Sequence, residues 1–279
     1  MRIHMNLLQN LIMGFVSGFA ELLPVSAEAH RAILCRLFGV ESEGGLFRLL
    51  IHIACLAAVI YGCRNEIRHI RRVRRLMKLP ARRRKIQPDA QTVYTIRFLR
   101  TATILMVVLK LLGMPLDFIG GRMNLLAVSL AVNGVVLILP AMVRTGNKDS
   151  RNMLRLDGLA MGVGAGLSGI PGISPVGAGV SLGTARGIER GYALSFVYLL
   201  MIRVLGVNIL MDLAGLVISG AGISVMGIVM AALGAVCAWC GSMLAMKLMR
   251  AIASFANFAG FAYYSWGLAL FCFILFLTV

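Results

Sequence analysis

Several residues with charged or reactive side chains lie close together in an otherwise apolar N-terminal stretch. Glu21, Ser26, Glu28, His30 and Arg31 bring two carboxylates, a hydroxyl, an imidazole and a guanidinium into eleven residues. Ionisable groups in an apolar, membrane-like setting are costly, so a functional role is favoured for Glu21 and His30. For Glu28 and Arg31, a position in water at a membrane surface is the competing interpretation.

A second candidate segment is rich in glycine and follows a proline in the other half of the chain. It contains Pro171, Gly172, Ser174 and Gly177. Glycines after a proline allow successive backbone N–H groups to converge, and such a concave set of donors binds an anion the size of a phosphate. Glycine-rich stretches are also ordinary in membrane helices, so this segment alone is a weak signal.

The rest of the chain has the composition of a membrane protein rather than of a soluble domain. Hydrophobic residues make up 59% of the 279 residues and charged residues 14%, and the mean hydropathy is +0.87. A helix that crosses a bilayer needs about 20 apolar residues. Six stretches meet this requirement: 46–62, 101–119, 123–143, 191–217, 221–246 and 256–279.

Two further apolar regions are each interrupted by a proline. They are 5–38, which contains Pro24, and 157–186, which contains Pro171. A proline inside an apolar helix breaks or kinks it. We therefore expect an all-α protein in which both regions form re-entrant helical hairpins, and these hairpins carry the two candidate segments.

Basic residues are concentrated in one part of the chain. The net charge is +17, and thirteen of the 28 Lys and Arg residues lie in 64–100. A nucleic-acid-binding surface is one interpretation, but the flanking spans favour a cytoplasmic loop, because basic loops stay on the cytoplasmic side of a membrane. Contact with anionic lipid is a secondary role for such a loop. If 64–100 lies on the cytoplasmic side, the chain passes through the six spans so that the basic clusters at 144–155, 186–190 and 247–250 are cytoplasmic too.

With 64–100 on the cytoplasmic side, the chain is predicted to form a single integral membrane domain, 1–279, whose two halves are inserted into the membrane in opposite directions. Repeat 1 covers about 1–143 and repeat 2 about 157–279, and each begins with a hairpin that three spans follow. In inverted repeats of this kind, the binding site lies near the middle of the membrane where the broken helices meet. Glycines four residues apart precede both prolines, although such glycines also serve simply for close helix packing. These glycines are Gly14 and Gly18 in the first half, and Gly162 and Gly166 in the second.

Neither the cysteines nor the N-terminal residues indicate a further functional motif. The six cysteines lie in or beside apolar segments, and the CxxC spacing of Cys237 and Cys240 falls inside a predicted span. The simpler explanation is that these two cysteines pack as small side chains, without a redox or metal-binding role. The first ten residues show no small-residue cleavage site, so we expect no removable signal peptide.

Taken together, the two motifs resemble those of the undecaprenyl-diphosphate phosphatase family, the bacitracin-resistance proteins that recycle the lipid carrier of cell-wall synthesis. The resemblance implies six spans with two oppositely inserted hairpins and a divalent cation, Mg²⁺ or Ca²⁺. It also implies removal of the terminal phosphate from a C55 polyprenyl diphosphate at the outer face of the membrane. The resemblance runs nearly end to end and includes the stretches 47–54, 157–160, 185–196 and 261–264.

The resemblance also implies roles for individual residues. Glu21 would hold the cation against the diphosphate, and His30 would be the nucleophile or the general acid and base. Ser26, in the same motif, would help to position the phosphates. In the second motif, which Pro171 also matches, Ser174 and the N–H groups around Gly172 and Gly177 would position the phosphates too.

Three polar positions depart from the family pattern. Ser17 stands where the family usually has an acidic residue, Ala27 where it has a second serine, and Pro175 where it has an arginine. The missing arginine matters most, because a bidentate cation is the natural clamp for the charge of a diphosphate. We hypothesise that Arg203, inside a predicted span, restores this contact, since a mid-span arginine needs an anionic partner. Pairing of this arginine with a glutamate of hairpin 5–38 or with backbone carbonyls is the alternative.

The function implied is hydrolysis of undecaprenyl diphosphate to undecaprenyl phosphate and phosphate by a multi-pass protein of the bacterial inner membrane. A non-catalytic polyprenyl-phosphate binding protein or flippase that works by alternating access is the second interpretation, because the inverted repeat and the missing arginine both suit it. The expected partners are the polyprenyl lipid and the membrane, and not nucleic acid. A homodimer is a further possibility that the sequence allows.

Overall fold

The computed structural model describes residues 5–80, 82, 86–143, 146–220, 222, 224–255 and 258–278, without the side chains of 254 and 255. Arg144 of the predicted basic cluster 144–155, and positions 81 and 83–85 of the predicted loop 64–100, lie outside these residues. All named elements within the described residues are helical. In chain order the helices are α1 (Leu7–Glu21), α2 (Ala27–Phe38), α3 (Gly45–Gly62), α4 (Arg64–Lys78), α5 (Ala90–Gly113), α6 (Met123–Met142), α7 (Arg155–Gly166), α8 (Pro175–Ala185), α9 (Arg190–Ser219), α10 (Val225–Phe255) and α11 (Ala259–Leu277).

The predicted number of membrane spans is confirmed. Six helices of the described residues are long and apolar enough to cross a membrane. The fifth helix starts earlier than the predicted span 101–119, and a 3-10 helix extends it to Gly121. The six are Gly45–Gly62, Ala90–Gly121, Met123–Met142, Arg190–Ser219, Val225–Ala253 and Ala259–Leu277.

The first interrupted region forms two short helices with a break between them. Helix α1 has 15 residues and α2 has 12, so at about 1.5 Å per residue neither crosses a hydrocarbon core of about 30 Å. The break includes Pro24 and ends at Ser26, the N-cap of α2. The Ser26 hydroxyl accepts a hydrogen bond from the Ala29 N–H at 3.2 Å, and this type of cap is what allows a new helix to begin there.

The second interrupted region repeats this pattern. Helix α7 has 12 residues and α8 has 11, and the break between them contains a 3-10 turn and then Pro171. Gly172 has φ +102°, a backbone conformation that side-chain-bearing residues rarely adopt. Ser174 is the N-cap of α8, and Pro175 occupies the first helical position, where the missing N–H costs nothing.

Closely spaced glycines seat each hairpin on a helix from the other half of the chain. At Gly14 or Gly18 of α1, a Cβ atom would overlap the backbone of α10. At Gly162 of α7, a Cβ atom would lie 2.6 Å from the Ala102 carbonyl oxygen of α5, and one at Gly166 would lie 2.8 Å from Leu109 Cβ. The glycine pairs therefore permit close helix packing, as in small-xxx-small contacts generally.

The breaks of the two hairpins touch each other in the protein interior. The Ser174 hydroxyl of the second donates to the Leu23 carbonyl of the first at 2.9 Å. Gly177 leaves room for Pro24, whose Cα would lie 3.1 Å from an added Cβ. The Tyr198 hydroxyl of α9 donates to the Leu22 carbonyl at 3.2 Å. Residues that are about 150 positions apart in the chain are thereby brought together.

The basic segment predicted as a loop is largely helical. Helix α4 occupies Arg64–Lys78, and α5 begins at Ala90. Val73 is the buried residue of α4, and its arginines are exposed. Arginine, leucine and methionine are good helix formers, and Ile67, Ile70, Val73 and Leu76 recur every three residues. This spacing is typical of an amphipathic helix, but the mean hydropathy of the segment does not reveal it.

Candidate active site

A narrow cavity lies beside the place where the hairpin breaks meet. Both hairpins contribute to its wall, and so do three of the long helices. Two of the lining residues, Glu21 and Ser26, are among those that the resemblance predicts to act on the diphosphate. The other polar residues that line it are Glu28, Arg31, His52, Lys110, Ser168 and Asn208.

Arg31 is the most buried charge in the first hairpin, with 4% of its surface exposed. Its Nε lies 3.4 Å from Glu43 Oε1, and its Nη1 lies 3.8 Å from Glu21 Oε2, which is too long for a hydrogen bond. Nη1 has no hydrogen-bond partner among the residues that the structure describes. A buried donor without an acceptor is unfavourable, so this nitrogen is available to an anionic ligand.

Lys110 supplies a second cation to the same cavity. It lies on α5, with 5% of its surface exposed. Its Nζ is 3.4 Å from the Ser168 carbonyl oxygen and 3.5 Å from the Ser168 hydroxyl. An ammonium group has three donors, and these long contacts leave it free to bind an anion. Pro175, where the family pattern has arginine, lines the same cavity.

Lys110 was missed in the sequence, although a signal was present. It is a single lysine in a long apolar stretch of the predicted span 101–119. A charged residue inside a span is a functional candidate by default. The argument that favours Arg203 applies equally to Lys110.

The predicted phosphate-binding residues of the second hairpin are used within the protein. The Ser174 hydroxyl donates to Leu23, as described above, and accepts from the Gly177 N–H at 3.1 Å. The Ser174 N–H donates to Asn133 Oδ1 at 3.0 Å. Gly172 forms the tight turn before α8. Phosphate binding by Gly172, Ser174 and Gly177 stays a prediction, because their geometry accounts for a structural role.

His30, the predicted catalytic histidine, has a partner at each ring nitrogen. Its Nδ1 lies 2.6 Å from the Ser26 carbonyl oxygen, and its Nε2 lies 2.7 Å from the Tyr264 hydroxyl. The two rings are also stacked, with centroids 5.8 Å apart. Among the described residues, His30 is outside the set that lines the cavity. Its catalytic role also stays a prediction.

Arg203 likewise lies apart from the cavity lining formed by the described residues, although its neighbour Val204 belongs to it. The Arg203 Nη1 donates to the Leu199 carbonyl of its own helix at 2.6 Å. This contact is the backbone pairing that was the alternative to a phosphate contact. The position of Arg203 therefore gives no support to the phosphate hypothesis, which stays untested.

A histidine and an aspartate that the sequence did not single out form a buried pair at the edge of the cavity. His52 of α3 lines the cavity, and its Nδ1 lies 2.5 Å from Asp212 Oδ2 on α9. Arg48 Nε donates to the other carboxylate oxygen of Asp212 at 2.8 Å. Residues 160 positions apart cannot be paired from local spacing, so only the folded chain shows this contact.

The acidic residues that line the cavity are two glutamates, which make only part of a donor set for a divalent cation. The described residues contain no group of three or more His, Cys, Asp or Glu side chains arranged for a metal ion. Mg²⁺, however, is often held by only one or two carboxylates together with substrate phosphates and water. Glu21 and Glu28, which both line the cavity, fit this smaller set. They would hold a divalent cation jointly with the phosphates of a ligand.

Comparison with known proteins identifies relatives along nearly the whole chain. The family described as "Bacitracin resistance protein BacA" matches residues 10–271. An undecaprenyl-diphosphatase of Carboxydothermus hydrogenoformans is 29% identical over 269 residues, which cover 94% of this chain and 94% of that protein.

Two shorter matches have higher identity. Undecaprenyl-diphosphatase 1 of Shouchella clausii is 33% identical over 205 residues, 72% of each chain. An undecaprenyl-diphosphatase of Treponema denticola is 31% identical over 199 residues, 71% of this chain and 72% of the relative. Both hairpins and all six spans fall within or largely within the matched family region, and we conclude that the chain belongs to the bacitracin resistance protein BacA family.

Proposed function

We propose that this protein hydrolyses undecaprenyl diphosphate to undecaprenyl phosphate and inorganic phosphate, and so recycles the lipid carrier of cell-wall synthesis. The observation that carries the proposal is the cavity that Arg31 and Lys110, both deeply buried, line together with Glu21 and Glu28. Among the described residues, Arg31 Nη1 has no hydrogen-bond partner, and Lys110 Nζ has two long contacts with Ser168. Two buried cations with so few strong partners suit a ligand with several negative charges. The relatives named for this activity support the same conclusion.

The residues of the cavity have separate roles in this reaction. Arg31 and Lys110 bind the diphosphate oxygens and stabilise the charge that develops as the phosphoanhydride bond breaks. Ser26, at the start of α2, lies where it can position a phosphate. Glu21 and Glu28 would hold Mg²⁺ or Ca²⁺, which when bound neutralises part of the diphosphate charge.

The architecture proposed for the protein is an inverted-topology repeat with two re-entrant hairpins. The support is an exchange of helix contacts, in which the first helix of each half packs on a long helix of the other half. Helix α1 packs on α10, and α7 packs on α5. Two other contacts join equivalent helices directly, since α3 packs on α9 and α6 packs on α11. Such an exchange is expected when two similar units are related by a pseudo-two-fold axis.

The proposed location is the bacterial inner membrane, with α4 on the cytoplasmic side. The exposed arginines of α4, which include Arg68, Arg71, Arg72 and Arg75, support this orientation. They also provide a surface that suits anionic lipid headgroups.

The test is phosphate release from undecaprenyl diphosphate by the purified full-length protein in detergent with Mg²⁺ or Ca²⁺. Wild-type protein is expected to release phosphate, and Lys110→Met is expected to lower kcat by about 100-fold because it removes a buried charge contact. Lys247→Met, which changes an exposed lysine on α10, is the matched control and should behave as wild type. Wild-type protein that releases no phosphate would contradict the proposal.

Binding and translocation of a polyprenyl phosphate is the second candidate function. The exchange of helix contacts favours it, because inverted repeats are common in alternating-access transporters. Pro175 in place of the family arginine favours it as well. In the same experiment, lipid that binds at the cavity without phosphate release would support this candidate over hydrolysis.

A further inference from the structure

The buried pair of His52 and Asp212 has the arrangement of an oriented histidine base. His52 is 4% exposed and Asp212 is 5% exposed, and their side chains are joined by the 2.5 Å contact between Nδ1 and Oδ2. A carboxylate can only accept a hydrogen bond, so His52 Nδ1 carries the proton. In the neutral imidazole with this tautomer, Nε2 is the acceptor nitrogen.

Asp212 is itself fixed in place. Arg48 Nε donates to its second oxygen at 2.8 Å, so both carboxylate oxygens have partners and the orientation of the carboxylate is set. An aspartate that holds Nδ1 of a histidine fixes the tautomer and the ring orientation that a base needs. His30 differs, because its Nδ1 faces the Ser26 backbone carbonyl rather than a carboxylate and its Nε2 faces the Tyr264 hydroxyl. Among the described residues, it is also outside the set that lines the cavity.

The imidazole of His52 shares the cavity with the groups proposed to bind the diphosphate. The charged groups that line this cavity with it are Glu21 on α1, Glu28 and Arg31 on α2, and Lys110 on α5. Among the described residues, His52 is the one histidine that lines the cavity. It lies on α3, whereas these charged residues lie on α1, α2 and α5.

We propose that His52 is the general base of the hydrolysis and that Asp212 is its positioning residue, an inference that rests on the proposed function. His52 Nε2 accepts a proton from a water molecule while the water oxygen forms a bond to the terminal phosphorus. The bond between that phosphorus and the bridging oxygen breaks, and its electron pair leaves with undecaprenyl phosphate. The proton on His52 then passes to solvent, and the second product is inorganic phosphate.

The competing role for the pair is purely structural, as a tie between α3 and α9 together with Arg48. The two roles differ in what a substitution changes. A structural tie affects the thermal unfolding midpoint, and loss of a base affects kcat and its dependence on pH while leaving lipid binding intact.

The first experiment compares His52→Gln with His69→Gln, which replaces an exposed histidine of α4 that bonds to Thr92. We expect His52→Gln to lower kcat by about 100-fold or more, with KM within about twofold of wild type. The acidic limb of the pH profile of kcat/KM, present in the wild type, should be absent from the residual activity. His69→Gln should keep both the rate and the limb.

The second experiment uses Asp212→Asn, which keeps the size of the side chain and loses its charge. We expect kcat to fall by about 10-fold to 100-fold with little change in KM, and the unfolding midpoint to stay close to that of wild type. An active wild type with His52→Gln at wild-type rate, or with its acidic limb retained, would overturn this inference and leave hydrolysis standing. A wild type that releases no phosphate would overturn both proposals.

Discussion

The two hairpins have the same construction and very different chemistry. Each has a proline in its break and a serine N-cap at the start of its second helix, Ser26 in one and Ser174 in the other. The first places Glu21, Glu28 and Arg31 in the cavity, whereas 166–175 of the second contains no ionisable side chain.

The second hairpin instead uses its polar groups to hold the first in place. The Ser174 hydroxyl is shared between the Leu23 carbonyl and the Gly177 N–H. The second cation of the cavity comes from Lys110 on α5, a helix on which the second hairpin packs. The comparison shows that one hairpin can supply the reactive groups while its counterpart supplies their support.

The largest expected effect comes from removing the guanidinium of the reactive hairpin. Arg31→Met should lower kcat by about 100-fold to 1,000-fold, because it deletes the buried donor that is proposed to bind the diphosphate and that has no partner among the described residues. Arg31→Lys should be intermediate, since it keeps the charge and loses the planar fork. Phosphate release and the unfolding midpoint are measured together.

The matched control for that experiment is Arg36→Met, which removes an exposed arginine near the end of the same helix. It should keep the wild-type rate. If Arg31→Met and Arg36→Met have equal rates, Arg31 does not bind the diphosphate and the division of labour between the hairpins fails.

An effect of intermediate size is expected from moving a cation into the supporting hairpin. In a Lys110→Met background, Pro175→Arg should restore about 10-fold of the lost rate, because position 175 lines the same cavity and an arginine there can clamp phosphate. Pro175→Gln in the same background provides the uncharged comparison and should restore nothing. Equal rates for the two double variants would show that a cation at position 175 cannot replace the charge of Lys110.

The smallest effect is expected at the N-cap of the supporting hairpin. Ser174→Ala should lower the free energy of unfolding by about 1 to 2 kcal/mol through loss of the cap and of the bond to Leu23, with little change in kcat. Ser26→Ala, at the equivalent position in the reactive hairpin, should lower both stability and kcat. Thermal unfolding in detergent and phosphate release give the two readouts. A large loss of kcat in Ser174→Ala would show that this hydroxyl meets the substrate.

The features that the sequence predicted well depend on local properties. The six spans follow from hydropathy over windows of about 20 residues, and the breaks of the hairpins follow from Pro24 and Pro171, which lie in the gaps between helices. Ser26 and Ser174 were predicted from the motifs to position phosphates, and the N-cap role that both have in the structure was not predicted.

The features that were missed depend on contacts between distant segments. Lys110 and Pro175 are far apart in the chain and share a cavity only because α7 and its turn pack on α5. The partnership of His52 with Asp212 joins two spans in the same way. Helix α4 was missed for a different reason, since hydropathy separates spans from polar segments and does not separate a polar helix from a loop.

The glycine contacts determine which parts of the protein can move as rigid bodies. Gly14 and Gly18 bring α1 against the backbone of α10, and Gly162 and Gly166 do the same for α7 and α5. Interfaces with no clearance cannot slide without separating. Any opening that admits a lipid headgroup would therefore carry each hairpin together with the helix on which it rests. The contact between these two bodies, which includes the hydrogen bond from Ser174 to Leu23, would then be the one that has to change.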